Sequence, residues 1–283
     1  GMPVLEFYKT YVMDNVNTFI GFPDYLKEDH KYFPMFSKWK QSGGRLLAPC
    51  LSGIVLEERV GRFTVEQAYE HISTTTGFLS PLAEGSIADE FGNSGPLCAI
   101  YAEAVRKLKA SPRFKDKLFY PYANHLYSGP EGRAFVQALI DTGSAIAWKR
   151  YLVSQPDERT ARKFLNEELV EHARRYRDLS PGSLEHIAVC FGFFSAPGGH
   201  VLNLFPSVNY KVYLDMQFNL VANDPVFQGT YGLMGYHSSV SDEETLRWIC
   251  KLFRHYGIEG RTEPATSDPY QLPHLVNGDF VDG

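Results

Sequence analysis

The sequence predicts an α/β protein built as a (β/α)8 barrel. Three observations lead there. Short apolar or aromatic runs alternate with helical stretches along the chain. Eight such runs begin near residues 16, 45, 85, 118, 144, 186, 227 and 256. Strict alternation implies parallel pairing with right-handed crossovers, and a repeat of this number and length fits a closed barrel. A doubly wound open sheet is the competing architecture. It more often carries a Gly-rich phosphate loop, and the chain has neither G-x-G-x-x-G nor a Walker loop.

The elements follow in order. Residues 16–22 read as the first strand, and a helix from Asp24 to Gln41 stops at Gly43-Gly44. Arg45 to Leu51 is the second strand. Thr64 caps the next helix, with Gln67 at the capping-box position. Gly85 to Phe91 is the third strand, and Pro96 opens a helix carrying Ala99, Ala102, Val105 and Leu108 at three-to-four spacing. A strand at 118–124 precedes a helix at 131–141. The fifth strand, 144–151, precedes a charged helix from Glu158 to Asp178 whose mixed charges mark a solvated face. A strand at 186–194 leads through Pro197-Gly198-Gly199 to a helix at 208–221. The seventh strand spans 227–236. Ser241, with Glu244 three residues on, caps a helix reaching His255, and Tyr256-Gly257-Ile258-Glu259 reads as an eighth strand. Before the first strand, Leu5, Phe7 and Tyr8 either plug the barrel floor or add a strand.

Composition narrows the function. With 28 Lys+Arg against 33 Asp+Glu the net charge is −5, so no nucleic-acid partner is expected. No apolar run is long enough to span a membrane. The cysteines at 50, 98, 190 and 250 form no C-x-x-C pair, and the apolar neighbours of Cys50, Cys190 and Cys250 fit reduced core residues. There is no G-x-S-x-G elbow for a serine hydrolase. No cofactor is expected. Neither H-x-H nor H-E-x-x-H occurs, so His125, His237, Asp89 and Glu90 are not read as metal ligands.

Barrel chemistry sits at the C-terminal ends of strands. The third strand ends Ala88-Asp89-Glu90-Phe91. Two adjacent carboxylates there are costly unless paired or used. With Ile87 turned to the helices, Glu90 faces the axis and Asp89 braces the loop; a bend near Phe91-Gly92 would exchange them. The eighth strand presents Glu259 between Gly257 and Gly260, with neutralisation by Arg261 as the alternative. Tyr122, Asn124 and His125, Lys149 and Tyr151, and Tyr236 and His237 end the fourth, fifth and seventh strands. Aromatic faces for C–H patches, beside amide, imidazole and ammonium donors for hydroxyls, suit a sugar.

On these residues and this architecture, the chain resembles TIM-barrel glycoside hydrolases. It departs from the two-carboxylate members of the large barrel superfamily, which place their acids on strands four and seven. This chain has neither an Asn-Glu after strand four nor an acid after strand seven. The resemblance implies acid-catalysed glycosidic cleavage of a carbohydrate substrate, with Glu90 as general acid, Asp89 raising its pKa, and Glu259 as nucleophile or base. Two alternatives stay open: a Schiff-base lyase or aldolase using Lys149, and a barrel that binds a glycan without turnover. Residues 1–262 form the expected barrel and 263–283 a linker with the start of a second module. Leu275 to Gly283 resembles the first strand of a galactose-binding-like β-sandwich, which implies a secreted or periplasmic setting. Oligomeric state has no sequence signal.

Overall fold

A computed structural model describes residues 4–50, 63–92, 95–195, 201–236 and 240–273. Seven strands form one parallel sheet in consecutive order. They are β1 (Thr18–Ile20), β2 (Arg45–Cys50), β3 (Gly85–Ala88), β4 (Leu118–Ala123), β5 (Ile146–Arg150), β6 (Ile187–Gly192) and β7 (Gly232–Tyr236). The main helices between them are α1 (Phe33–Gln41), α2 (Val65–Ser73), α3 (Gly95–Ala110), α4 (Pro130–Asp141), α5 (Glu158–Leu165) and α6 (Tyr210–Asn223), with α7 (Glu243–Leu252) after β7. A π-helical turn at Asn166–Val170 joins α5 to a further helical stretch, Glu171–Arg177.

Local sequence explains these boundaries. Thr64 and Gln67 make the full capping box at the start of α2, each satisfying a backbone N–H of the other. At α7 the cap is Asp242, one residue beyond the expected Ser241. Its carboxylate accepts from the Thr245 N–H at 2.7 Å, while the Ser241 hydroxyl donates to the Phe193 carbonyl.

One expectation is corrected, and one of two open alternatives is set aside. The segment read as an eighth strand is helical, because α7 runs on through a π-helical stretch, Phe253–Ile258. Ile249, Cys250, Leu252 and Tyr256 are buried along it, and the Tyr256 hydroxyl donates to Asp215 Oδ1 at 2.5 Å. This burial at helical spacing outweighs the strand-like look of four residues. Gly260, at a φ of +63°, then ends the helix in the left-handed region. The N-terminal segment is also helical rather than extended: Val4–Phe7 continues into Tyr8–Val12. Leu5 packs on the core of Met13, Leu26, Phe36 and Leu46.

The chain divides into two compact units. The first holds residues 1–149, 175–190 and 229–234; the second holds 150–174, 191–228 and 235–283. In the first unit the strand register sorts side chains onto two faces. Ser86 pairs with Phe119, Cys50 with Ala88, Ala88 with Pro121, and Ala123 with Trp148. This is the helix-covered face. Tyr101 of α3 packs on Phe119 at 5.7 Å, Tyr176 on Trp148 at 5.6 Å, and the Ser86 hydroxyl meets Thr75 at 2.6 Å. The opposite face carries Arg45, Leu47, Ile87, Tyr120, Tyr122 and, by alternation, Lys149. At its N-terminal edge Arg45 pairs with Glu84 at 2.7 Å, and the Tyr120 and Tyr231 hydroxyls meet at 2.8 Å.

In the second unit, the segment expected as a linker is strapped down. Asp215 accepts from the Ala265 N–H at 2.9 Å and the Thr266 N–H at 3.3 Å. Tyr270 is buried and donates to the Gln155 carbonyl. The galactose-binding-like stretch 275–283 lies outside the described residues.

Candidate functional site

The site grows from the end of β3. Phe91 is buried among the rings of Tyr101, Phe119 and Phe135 at 5.0, 6.2 and 5.3 Å. Its N–H donates to the Tyr122 carbonyl of β4 at 2.9 Å. To reach that anchor from Ala88 the chain turns sharply at Asp89-Glu90. Glu90 takes the strain: its φ is +45°, the left-handed region, and it is the one non-glycine residue with positive φ among those described. The Asp89 carboxylate holds the turn by accepting the Glu90 N–H at 2.9 Å.

The turn settles which carboxylate goes where. Ile87 lies on the face of Tyr120, opposite the helices, so the expected parity is reversed. Asp89, the first residue beyond β3, is half-buried and acts electrostatically on both Cys50 and Cys190, while Glu90 stands exposed at the tip of the turn. Tyr122 of β4, Lys149 of β5 and Cys190 of β6 group together, and the charges of Asp89 and Lys149 both act on the Cys190 thiol. The Cys190 thiol donates to the Tyr122 hydroxyl at 3.5 Å, and the Lys149 ammonium lies 5.8 Å from the centre of the Tyr122 ring. Burial pushes the Cys190 thiol up to about 12. The Tyr122 hydroxyl opposes this, the Asp89 charge adds to it, and the Lys149 charge opposes it. Cys50, on the helix-covered side, is likewise pushed up to about 12 by burial, with Asp89 contributing. Both thiols are therefore neutral at physiological pH.

Other expected residues fall as follows. Tyr122 is 1% exposed. It is floor, not a stacking surface for sugar, which corrects its expected role. Asn124 is exposed and His125 half-buried, and the His125 ring lies 5.3 Å from Tyr127. The Tyr176 hydroxyl fixes this loop, donating to the Asn124 carbonyl at 3.1 Å and accepting from the Leu126 N–H at 3.2 Å. Cys190 is the member of the group that sequence reasoning left in the core; its apolar neighbours gave no sign of the contact with Tyr122.

In the second unit Tyr151, Phe194 and Tyr236 form an aromatic group of their own. The Tyr151 ring lies 4.7 Å from Phe194 and 5.7 Å from Tyr236. His237 lies outside the described residues. Glu259 caps the helical end of the α7 extension and is paired with Arg261 at 2.8 Å. Its assignment as nucleophile rested on a strand that is not there. Arg261 neutralises it, as the alternative reading held.

Among the described residues, no group of three or more His, Cys, Asp or Glu side chains is placed to hold a metal ion. No described helix is long and apolar enough to cross a membrane. No protein-family model matches the chain, and no curated protein matches its sequence.

Proposed function

We propose that this chain acts on carbohydrate as a glycoside hydrolase, with its chemistry at the Asp89-Glu90 turn. The observation that carries the reading is the strained backbone of Glu90. A left-handed conformation costs a non-glycine residue about 1–3 kcal/mol, and such residues cluster where geometry serves function. Here it lifts a carboxyl group clear of the sheet, at the strand end where barrel enzymes work. The consecutive strand order supports barrel kinship, since doubly wound sheets reverse direction at a switch point and this one does not. On this reading the seven-stranded sheet is a variant of the β/α-barrel architecture that lacks the eighth strand.

In the proposed reaction, Glu90 in its acid form protonates the glycosidic oxygen as the bond to the anomeric carbon breaks. Asp89, one residue away, stabilises the positive charge that develops on the sugar ring. Water adds to the anomeric carbon, and its proton restores the Glu90 acid.

The test is hydrolysis of a panel of 4-nitrophenyl glycosides of both anomeric series. Wild type is expected to cleave at least one, and Glu90→Gln to lower that rate at least 100-fold with an unchanged circular-dichroism spectrum. Undiminished cleavage by Glu90→Gln sinks the assignment. No cleavage by wild type, with glycan binding retained, supports a non-catalytic glycan binder. The Schiff-base alternative predicts borohydride trapping of a substrate on Lys149, which the glycosidase reading does not.

A further inference from the structure

We infer that the site takes a sugar bearing an anionic group, a ring carboxylate or a sulfate ester, read by the Lys149 ammonium. This deepens the carbohydrate reading and rests on it. Lys149 of β5 and Tyr122 of β4 lie on one face of the sheet, Asp89 follows the end of β3, and the charges of Asp89 and Lys149 both act on Cys190. Tyr122 is fully buried, and its hydroxyl is engaged by the Cys190 thiol. Its ring is thus a fixed platform, and the ammonium over it is held at a set height above the floor. Such a pre-positioned cation binds an anion at lower entropic cost than a free lysine.

Charge balance points the same way. The thiol of Cys190 carries no charge at neutral pH. The floor therefore contributes no charge; Lys149 is the cation beside it, while Arg45, at the N-terminal edge of the same face, is paired with Glu84. A neutral sugar needs no cation here. An anionic one would be repelled by Asp89 and Glu90 unless a cation offset them. Three N–H donors let the ammonium bond a ligand oxygen while keeping its protein contacts.

The experiment is direct binding by calorimetry. Tetrasaccharides of homogalacturonan, alginate and hyaluronan are titrated into wild-type protein, each beside its carboxyl-reduced form. A sulfated neutral tetrasaccharide separates sulfate from carboxylate. At least one anionic form is expected to bind ten times more tightly than its neutral counterpart. Lys149→Gln should bring the two within twofold, and Lys149→Arg should restore part of the preference. Thermal melts confirm that both variants fold. Equal binding of charged and neutral forms overturns the inference and leaves the carbohydrate reading standing. A preference that survives in Lys149→Gln also overturns it. Absence of binding to every glycan overturns both. Lysine-dependent preference without turnover upholds the inference and removes only the hydrolytic step.

Discussion

At the scale of single residues, Glu90 sets the proposed function against stability. Its φ of +45° is unfavourable for any side chain with a Cβ. The surroundings impose it: Phe91 must reach its aromatic pocket, and the Asp89 carboxylate caps the Glu90 N–H. Glycine accepts this conformation without steric cost, though it also loosens the unfolded chain. Glu90→Gly is therefore expected to raise unfolding stability by about 0.5–1 kcal/mol while abolishing activity. Urea denaturation checks the first half, and a loss of stability would mean that the Glu90 side chain itself holds the turn. The doublet of carboxylates after β3 was legible in the sequence as a candidate site. Which of them faces inward was not. Alternation fixes facing only when the register with a neighbouring strand is known; here the pairing of Ile87 with Tyr120 reverses the expected facing within β3, and the turn beyond Ala88 leaves Asp89 half-buried and Glu90 exposed.

At the scale of elements, packing between β3 and β4 leaves no room for a side chain at the start of β3. A Cβ built on Gly85 would stand 1.8 Å from the Leu118 carbonyl oxygen, which is backbone and has no rotamer to escape into. Gly85→Ala is expected to cost at least about 2 kcal/mol, because the two strands must separate or slide to admit it. A shift in the thermal midpoint of less than a degree would show that the ladder accommodates it. Elements with strong local signals were readable. The capping box at Thr64 forms as its spacing implies, and each of the seven strands lies within its expected stretch. What failed was Tyr256 to Glu259. Aromatic and β-branched residues beside two glycines favour a strand locally. The long-range bond from Tyr256 to Asp215, forty-one residues away in sequence, favours continuing α7, and only the fold supplies it. The strap at 263–273 was missed for the same reason. Its composition is that of a linker, and its hold comes from a buried aspartate on α6.

At the scale of the whole molecule, burial of thiols makes stability fall in alkali. Both units carry such a group: Cys190 is pushed up to about 12 and Cys250 up to about 11, in each case chiefly by burial. The ordinary thiol value is 9.0. Between 9.0 and these raised values the folded chain keeps the proton that the unfolded chain has lost. The native state then binds more protons than the unfolded one, so stability must decline as pH rises through that window. Below pH 9 both states hold the proton, and the groups contribute no slope. Each fully buried thiol gives about 1.4 kcal/mol per pH unit within its window. Unfolding free energies between pH 9.5 and 11 are thus expected to fall steeply in wild type and less steeply in Cys190→Ala, by about one thiol's share. Equal slopes for the two proteins would show that Cys190 ionises as freely in the folded chain as in the unfolded one. The neutral floor on which the reading of Lys149 depends would then be lost at the pH where that ionisation occurs.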